Sequence, residues 1–557
     1  MKLSDSIARC IRTPVRNAVW RTALARSGIL AALGLTLAQA QAEVVAPCAD
    51  ACRFEVGVSE SRCRLWEASG GGWISNLDDG AGQLHNRARH HTAWLNRWMM
   101  PAGGVMAAEF TDETLSAIRS YGGRRDSPIW TGSYLAAEAL RFMTTGAPDA
   151  ERALRETVAT LHRWWAISGD RGYLARYAAP ADSPEPILAL LSADDPEVHR
   201  DVLYENRLWH WRGNISRDQY QGLMLGYSLA YEATRSPALR ETIRADVVRF
   251  VEQLMESENQ PVRARVQGTT VSQDIRIPYA VFSRADAPGG IPTLTLRLTP
   301  FDAAGEGVLF FSPNTADLIR QLPSFGAFPD QYQPTQAIQL GAIFRVALQV
   351  TEGVPEYAER RRVIAEHYAR QADSWLGIAE RWRNTNRCDS GYFGLNIGFM
   401  PLYNWTRLET DQARKERLQR AVLRDALWAE VADHKNVFFA FIYAALAPTE
   451  DEVQPVIDAH VEQLARFSAA PNLSRPIDLR GRYPENPRCP GISAEAVNVD
   501  ERPAASFTWE RHPWKLQEAG TPNMTYGGVD YLLAYWMGRH HGFIADDAPE
   551  TCLLWKR

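Results

Sequence analysis

The chain has 557 residues, 45% hydrophobic, 23% charged and 10% aromatic, with a formal net charge of −5. These are the proportions of an ordinary folded protein, which excludes a disordered tail, a collagen-like repeat and a low-complexity scaffold. At about 150 residues per domain, length alone predicts three or four domains.

The N-terminus bears on compartment. Lys2, Arg9, Arg12, Arg16, Arg21 and Arg26 stand against a single Asp5, and an apolar run from Gly28 to Leu37 ends in the small-residue pattern Ala40-Gln41-Ala42. A basic region, a short apolar core and a small-x-small exit predict a secretory signal over 1–42, cleaved near Ala42, and a secreted or periplasmic mature protein. The competing reading is an uncleaved anchor, but the apolar run falls short of the ~20 residues that span a bilayer. No later stretch is apolar enough either, so no transmembrane segment is expected in the mature chain. Removing six bases and one acid moves the net charge from −5 to −10. An acidic body offers no footprint to a phosphate backbone, so nucleic acid is not an expected partner.

Six cysteines remain after the signal: Cys48, Cys52, Cys63, Cys388, Cys489 and Cys552. An even number in an oxidising compartment predicts disulfides without choosing their connectivity. Zinc is the sharper alternative, but there is no CxxC pair. Residues 43–82 read as a loop-rich N-terminal extension.

From 83 to 557 the chain alternates two kinds of helix. One kind is apolar all round and rich in small residues, with starts near 130, 218, 335, 436 and 526 and a sixth at Gly391 or at Gln83–Met99. A helix with no polar face must be buried on every side. The other kind is amphipathic: Ala150–Ile167, Ala238–Met255, Tyr357–Trp382, Asp411–Val431 and Val453–Phe467 each have a wet and a dry face. One segment, 262–311, breaks the pattern with period-two alternation, as in Thr293-Leu-Thr-Leu-Arg-Leu-Thr299, and predicts a small β insertion.

Buried and wet helices in alternation over Gln83–Phe543 resemble the (α/α)6 toroids, the six-hairpin class of glycoside hydrolases, polysaccharide lyases and sugar epimerases. The fold class expected is therefore mainly α, a toroid of helical hairpins with a β-rich insertion. The resemblance is architectural and transfers no catalytic residue by position. It implies a saccharide bound where loops feed the inner helices, and fold alone gives no mechanism.

Those loops carry the polar residues. Two share a pattern: Arg125-Asp126 before Trp130, and Arg217-Asp218 before Tyr220, each with a glycine one turn into the apolar helix. A third runs Glu510-Arg511-His512-Pro513-Trp514 on to Tyr526 and Asp530, and a fourth holds His434 and Asn436. Glycoside hydrolysis needs two carboxyl groups across a sugar, one protonated and one ionised. Asp126 and Asp218 are the expected catalytic pair, with Glu510 and Asp530 in reserve. Arg125, Trp130, Arg217, Tyr220, His434, Asn436, His512, Trp514, Tyr526 and Asp530 are the expected binding groups. A lyase or epimerase would draw its acid and base from His434, His512 and Tyr526 beside an arginine.

Each has a plainer reading. Asp and Ser at helix starts are commonly N-caps, and Ser216-x-x-Gln219 matches a capping box. Trp and Tyr at helical spacing are commonly core. No phosphate loop, dinucleotide fingerprint, GxSxG elbow or HExxH is present, so neither cofactor nor metal is expected. The function predicted is an exported carbohydrate-active enzyme, foremost a glycoside hydrolase with carbohydrate as its partner. The alternatives are a lyase or epimerase, or a non-catalytic glycan-binding or envelope protein.

Overall fold

Prolines mark where helices begin. Pro128, Pro148, Pro237 and Pro334 each occupy the first turn of a helix, where a missing N–H breaks no bond and the fixed φ is already helical. The computed structural model describes residues 81–267, 272–298, 301–322, 328–383, 388 and 391–544. The chain divides after Val44. The expected signal, the extension as far as residue 80, and Cys48, Cys52, Cys63 and Cys552 lie outside the described residues.

The protein is mainly α, with 53% helix and 15% strand. In chain order the helices are α1 (Ala81–Trp98), α2 (Ser127–Thr145), α3 (Pro148–Ala166), α4 (Arg217–Ala233) and α5 (Pro237–Glu256). There follow α6 (Pro334–Val350), α7 (Ala358–Ala379), α8 (Phe393–Leu408), α9 (Val437–Leu446), α10 (Val453–Arg466) and α11 (Val529–His540). Between α8 and α9 the chain stays helical through Gln412–Arg417, wide π turns over Leu418–Trp428, and Ala429–Val431. The six apolar helices are α2, α4, α6, α8, α9 and α11, and most of their side chains are buried. Helix α2 packs on α4 and α11, α4 on α6 and α8, α6 on α8, α8 on α9, and α9 on α11. The amphipathic helices back them: α3 on α2, α5 on α3 and α6, α7 on α6, α10 on α9. The segment Gln83–Met99, one of two places expected for a sixth inner helix, falls in α1, which packs on α11. No helix among the described residues is long and apolar enough to cross a membrane.

The closest helix pair is α2 against α4. A Cβ added to Gly132 would land within 3 Å of the Gly222 backbone, and one added to Gly222 within 3 Å of the Ile129 carbonyl. Gly226 meets the Gly132 carbonyl in the same way. Backbone touches backbone along this seam, which only glycine permits.

Short strands join the hairpins. The 262–311 segment forms a four-stranded sheet in the order Phe301–Glu306, Thr293–Leu298, Pro261–Val266, Ser272–Arg276, beside a two-stranded ladder. Leu294, Leu296, Val262 and Ile275 build its own small core. A second sheet, Tyr177–Pro180, Arg207–Arg212 and Val198–Tyr204, lies between α3 and α4 and was not expected from the sequence. Its two-residue turn, Glu205-Asn206, has positive φ at both positions, which matches the twist of a tight hairpin. Cys388 and Cys489 form a disulfide across a separation of 101 residues.

The glycine seam generates a prediction. Gly222→Ala forces α2 and α4 apart and is expected to cost about 3 kcal/mol. Gly377 is a helical glycine in α7 with open space around its Cβ position, so Gly377→Ala is expected to stabilise by about 0.5–1 kcal/mol. Thermal unfolding of the two variants beside the parent checks both, and equal midpoints would refute the seam.

Candidate active site

Asp126 occupies the N-cap position of α2, yet its side chain makes no capping bond. Ser216, at the N-cap of α4, makes none either. The capping-box reading therefore fails, because the side chains are used elsewhere. Gln219, fully buried, accepts the Ile129 N–H (3.1 Å) through its carbonyl oxygen. Its amide nitrogen donates to Asp126 Oδ1 (3.2 Å) and to Asp218 Oδ2 (2.8 Å). Two carboxylates bonded to one nitrogen can be no further apart than the two bonds laid end to end. The glycine seam one turn below makes this approach possible.

Arg176 locks the same rim. It donates through Nε to the Asn214 carbonyl (2.6 Å), through Nη2 to Ser216 Oγ (3.0 Å), and to the Arg125 carbonyl. It thus holds the loops into α2 and α4 together and sets its charge beside both aspartates. Asp286 fixes the second loop from behind. It accepts the Asn214 N–H (2.7 Å), His199 Nε2 (2.7 Å) and the Tyr173 hydroxyl. Burial would raise its carboxyl, but these hydrogen bonds outweigh burial and hold it below its ordinary value.

A third carboxyl completes the group. Glu510 ends the short turn Thr508–Glu510, and its side chain is only 12% exposed, 3.3 Å from Arg511. Burial pushes its pKa up to about 8, against the pull of Arg511, and the charges of Asp126 and Asp218 raise it further. The Asn396 amide of α8 acts in the opposite direction, favouring the ionised form. Asp126 is also raised, by burial first and by Asp218 second, with Arg176 and Arg511 opposing. Environments that drive neighbouring carboxyls apart sort them into proton donor and acceptor. Among the described residues no group of three His, Cys, Asp or Glu is arranged to hold a metal ion.

Several expected binding residues lie one layer behind this group. Trp130 is buried, stacked on Phe507 with ring centroids 4.7 Å apart. Asn436 caps α9, accepting the Phe439 N–H (3.2 Å), and donates to the Trp509 carbonyl (2.9 Å). Asp530 is completely buried and accepts the Thr508 N–H (2.9 Å), while its carbonyl accepts Trp509 Nε1–H (2.8 Å). Burial raises its carboxyl to about 6. These three therefore clamp the turn that carries Glu510 and present no face to a ligand. Tyr220 is likewise core: its hydroxyl donates to the Gly172 carbonyl (3.0 Å) and accepts the Leu174 N–H (3.1 Å). His434 is buried edge-on against Trp514 (4.6 Å). Arg217 lies over the Phe310 ring and donates to its carbonyl (3.3 Å), tying α4 to the β insertion. Arg125 is exposed on the rim, 3.8 Å from Glu197.

His512 and Tyr526 do line open space. With Arg511 they border a cleft of about 380 Å³. Arg511 reaches both this cleft and Glu510, so cleft and carboxyls are neighbours. The residues missed in the sequence are Gln219, Arg176, Arg511 and Asn396. Arg511 had a visible signal, since Glu510-Arg511 pairs an acid with an arginine as the two helix mouths do, in the reverse order.

A raised carboxyl pKa has a defined sign in stability. Folding favours protonated Glu510, so its contribution is fully present below the ordinary value of 4.5 and is lost as pH rises through about 8. Glu510→Gln, which cannot ionise, is expected to flatten the fall in melting temperature between pH 5 and pH 8.5; parallel profiles for parent and variant would refute this. A scan against protein-family models finds no match to the chain, and searches of curated proteins and of solved structures find none either.

Proposed function

We propose that the protein is a carbohydrate-active enzyme of the glycoside hydrolase type, built as a ring of helical hairpins. The sequential packing of the inner helices, with α11 against both α9 and α2, supports the ring. One observation carries the chemistry: Asp126 and Asp218 share the Gln219 amide, beside a Glu510 whose burial keeps it protonated at neutral pH. In this reading Glu510 donates its proton to the glycosidic oxygen as the C–O bond breaks. An ionised aspartate, held by Gln219 and Arg176, takes a proton from the water that adds to the anomeric carbon. The leaving alcohol keeps the proton from Glu510, and the acid is restored by exchange with solvent.

A second reading has its own support. Tyr526, His512 and Arg511 border the cleft next to Glu510, and a tyrosine or histidine base beside an arginine is what β-elimination from a uronate requires. A glycan screen that follows both new reducing ends and the ultraviolet absorbance of unsaturated product distinguishes the two.

The expected outcome is reducing ends without unsaturation and an alkaline limb of activity near pH 8. Glu510→Gln and Asp126→Asn are each expected to lower kcat by about 10²–10⁴-fold while the variants remain folded. Full turnover in Glu510→Gln would sink the hydrolase assignment, and unsaturated product would install the lyase.

A further inference from the structure

The wall of the cleft beside Glu510 carries more positive than negative charge. Arg475, Arg502, Arg511, Lys515 and His512 line it, against Glu518 as the acid. Lys515 is paired with Glu518, and the buried Arg502 is turned to the main-chain carbonyls of Val497, His434 and Lys435, which leaves Arg475 and Arg511. Arg475 donates to the main-chain carbonyl of Asp500, a neutral acceptor, and makes no ion pair among the described residues. Arg511 has Glu510 at 3.3 Å. A carboxyl that holds its proton neutralises nothing, so in the acid-competent state Arg511 keeps no ion pair among the described residues and only the longer-range field of Asp126 opposes its charge. The chain as a whole is acidic, at −5, so this local excess runs against the composition.

The space is long enough for more than one sugar. The cleft of about 380 Å³ continues into a second hollow of about 450 Å³, and Ser474, Arg475 and Thr508 line both. Arg475 stands at the junction and Arg511 at the catalytic end. Arginine presents a planar fork of donors matched to a carboxylate or sulfate, and such charge-assisted pairs are roughly twice as strong as neutral hydrogen bonds.

We propose that this cleft takes an acidic saccharide, with Arg475 and Arg511 gripping a carboxylate or sulfate ester next to the three carboxyls. The assignment rests on reading the cleft as a saccharide site and adds its substrate class. It holds for hydrolysis and for β-elimination alike, because both would place an anionic sugar against the same arginines. A neutral glycan would leave both guanidinium groups facing the cleft without an anion.

The test is calorimetric titration of the full chain with four probes: oligogalacturonate, its methyl ester, dextran sulfate and dextran. The free acid or the sulfated polymer is expected to bind at least tenfold more tightly than its neutral counterpart, and which of the two does so names the anion. Arg475→Gln is expected to remove that preference while leaving the melting temperature unchanged. Arg362→Ala, an exposed arginine on α7 (55% side-chain exposure), controls for general charge and is expected to keep it. Equal binding of charged and neutral probes, no binding of any probe, or an intact preference in Arg475→Gln overturns the proposal. Glu510→Gln separates the two readings. If it turns over fully while Arg475→Gln loses the acidic probe, the acid-catalysis reading falls and the anion site stands. If turnover is lost in Glu510→Gln but charge makes no difference to binding, the reverse holds.

Discussion

The contact on which the site depends is backbone against backbone where α2 meets α4. Gly132, Gly222 and Gly226 leave no side chain between the two helices, so their N-termini come together as closely as peptide groups allow. Asp126 and Asp218 stand at those N-termini. Any larger residue at the seam would splay the helices and open the gap that the Gln219 side chain bridges. A single amide spans only a few ångströms, and this one must also satisfy the Ile129 N–H, which gives it no freedom to follow a moving partner. The proximity of two carboxylates, an arrangement with a Coulombic cost, is thus imposed by helix packing and offset by Gln219 and Arg176.

Glu510 is positioned differently. It sits on a turn, and turns are held by what surrounds them. Here the hold comes from three buried apolar helices at once: α2 through Trp130 on Phe507, α9 through Asn436 on the Trp509 carbonyl, and α11 through Asp530 on Thr508 and Trp509. Each contact is buried, so each hydrogen bond is costly to break. A loop residue acquires the rigidity of the core it is fastened to, as proton transfer at a defined atom requires.

Much of the fold was legible because burial leaves a periodic trace. Helices with no polar face had to be buried, and those with one wet face had to lie against them with that face exposed. The apolar helices start at 127, 217, 334, 437 and 529, close to the expected 130, 218, 335, 436 and 526, and a sixth starts at 393, near Gly391, one of the two places expected for it. The Glu205-Asn206 hairpin escaped because it lacks the glycine that flags a tight turn, and its strands, rich in Arg, Trp and His, carry no clean alternation. At the site, sequence identifies residue types near helix mouths but not the direction of a side chain. Trp130, Tyr220, Asn436 and Asp530 are near the mouths and point into the core. Gln219 matches a capping box by spacing, yet a cap and a bridge use the same atoms, and only the partner helix decides between them.

The charges of the site follow from the same geometry. Bringing Asp126, Asp218 and Glu510 together in a partly dry environment means they do not all ionise at neutral pH. The proton goes to the one that water and hydrogen bonds help least. Asp126 has the Gln219 amide and the field of Arg176. Burial raises Glu510 to about 8, with Arg511 and Asn396 as its opposing neighbours. Once Glu510 is neutral, Arg511 is released from the carboxyl that stands at ion-pair distance among the described residues. Storing a proton on the acid and exposing a cation to the cleft are therefore one event. An anion arriving at Arg511 would do the opposite to the field at Glu510: its negative charge would raise the carboxyl further and keep the proton in place. Anion charge and Glu510 protonation reinforce each other, so the proposed acidic saccharide is consistent with the placing of Arg475 and Arg511 beside the carboxyls.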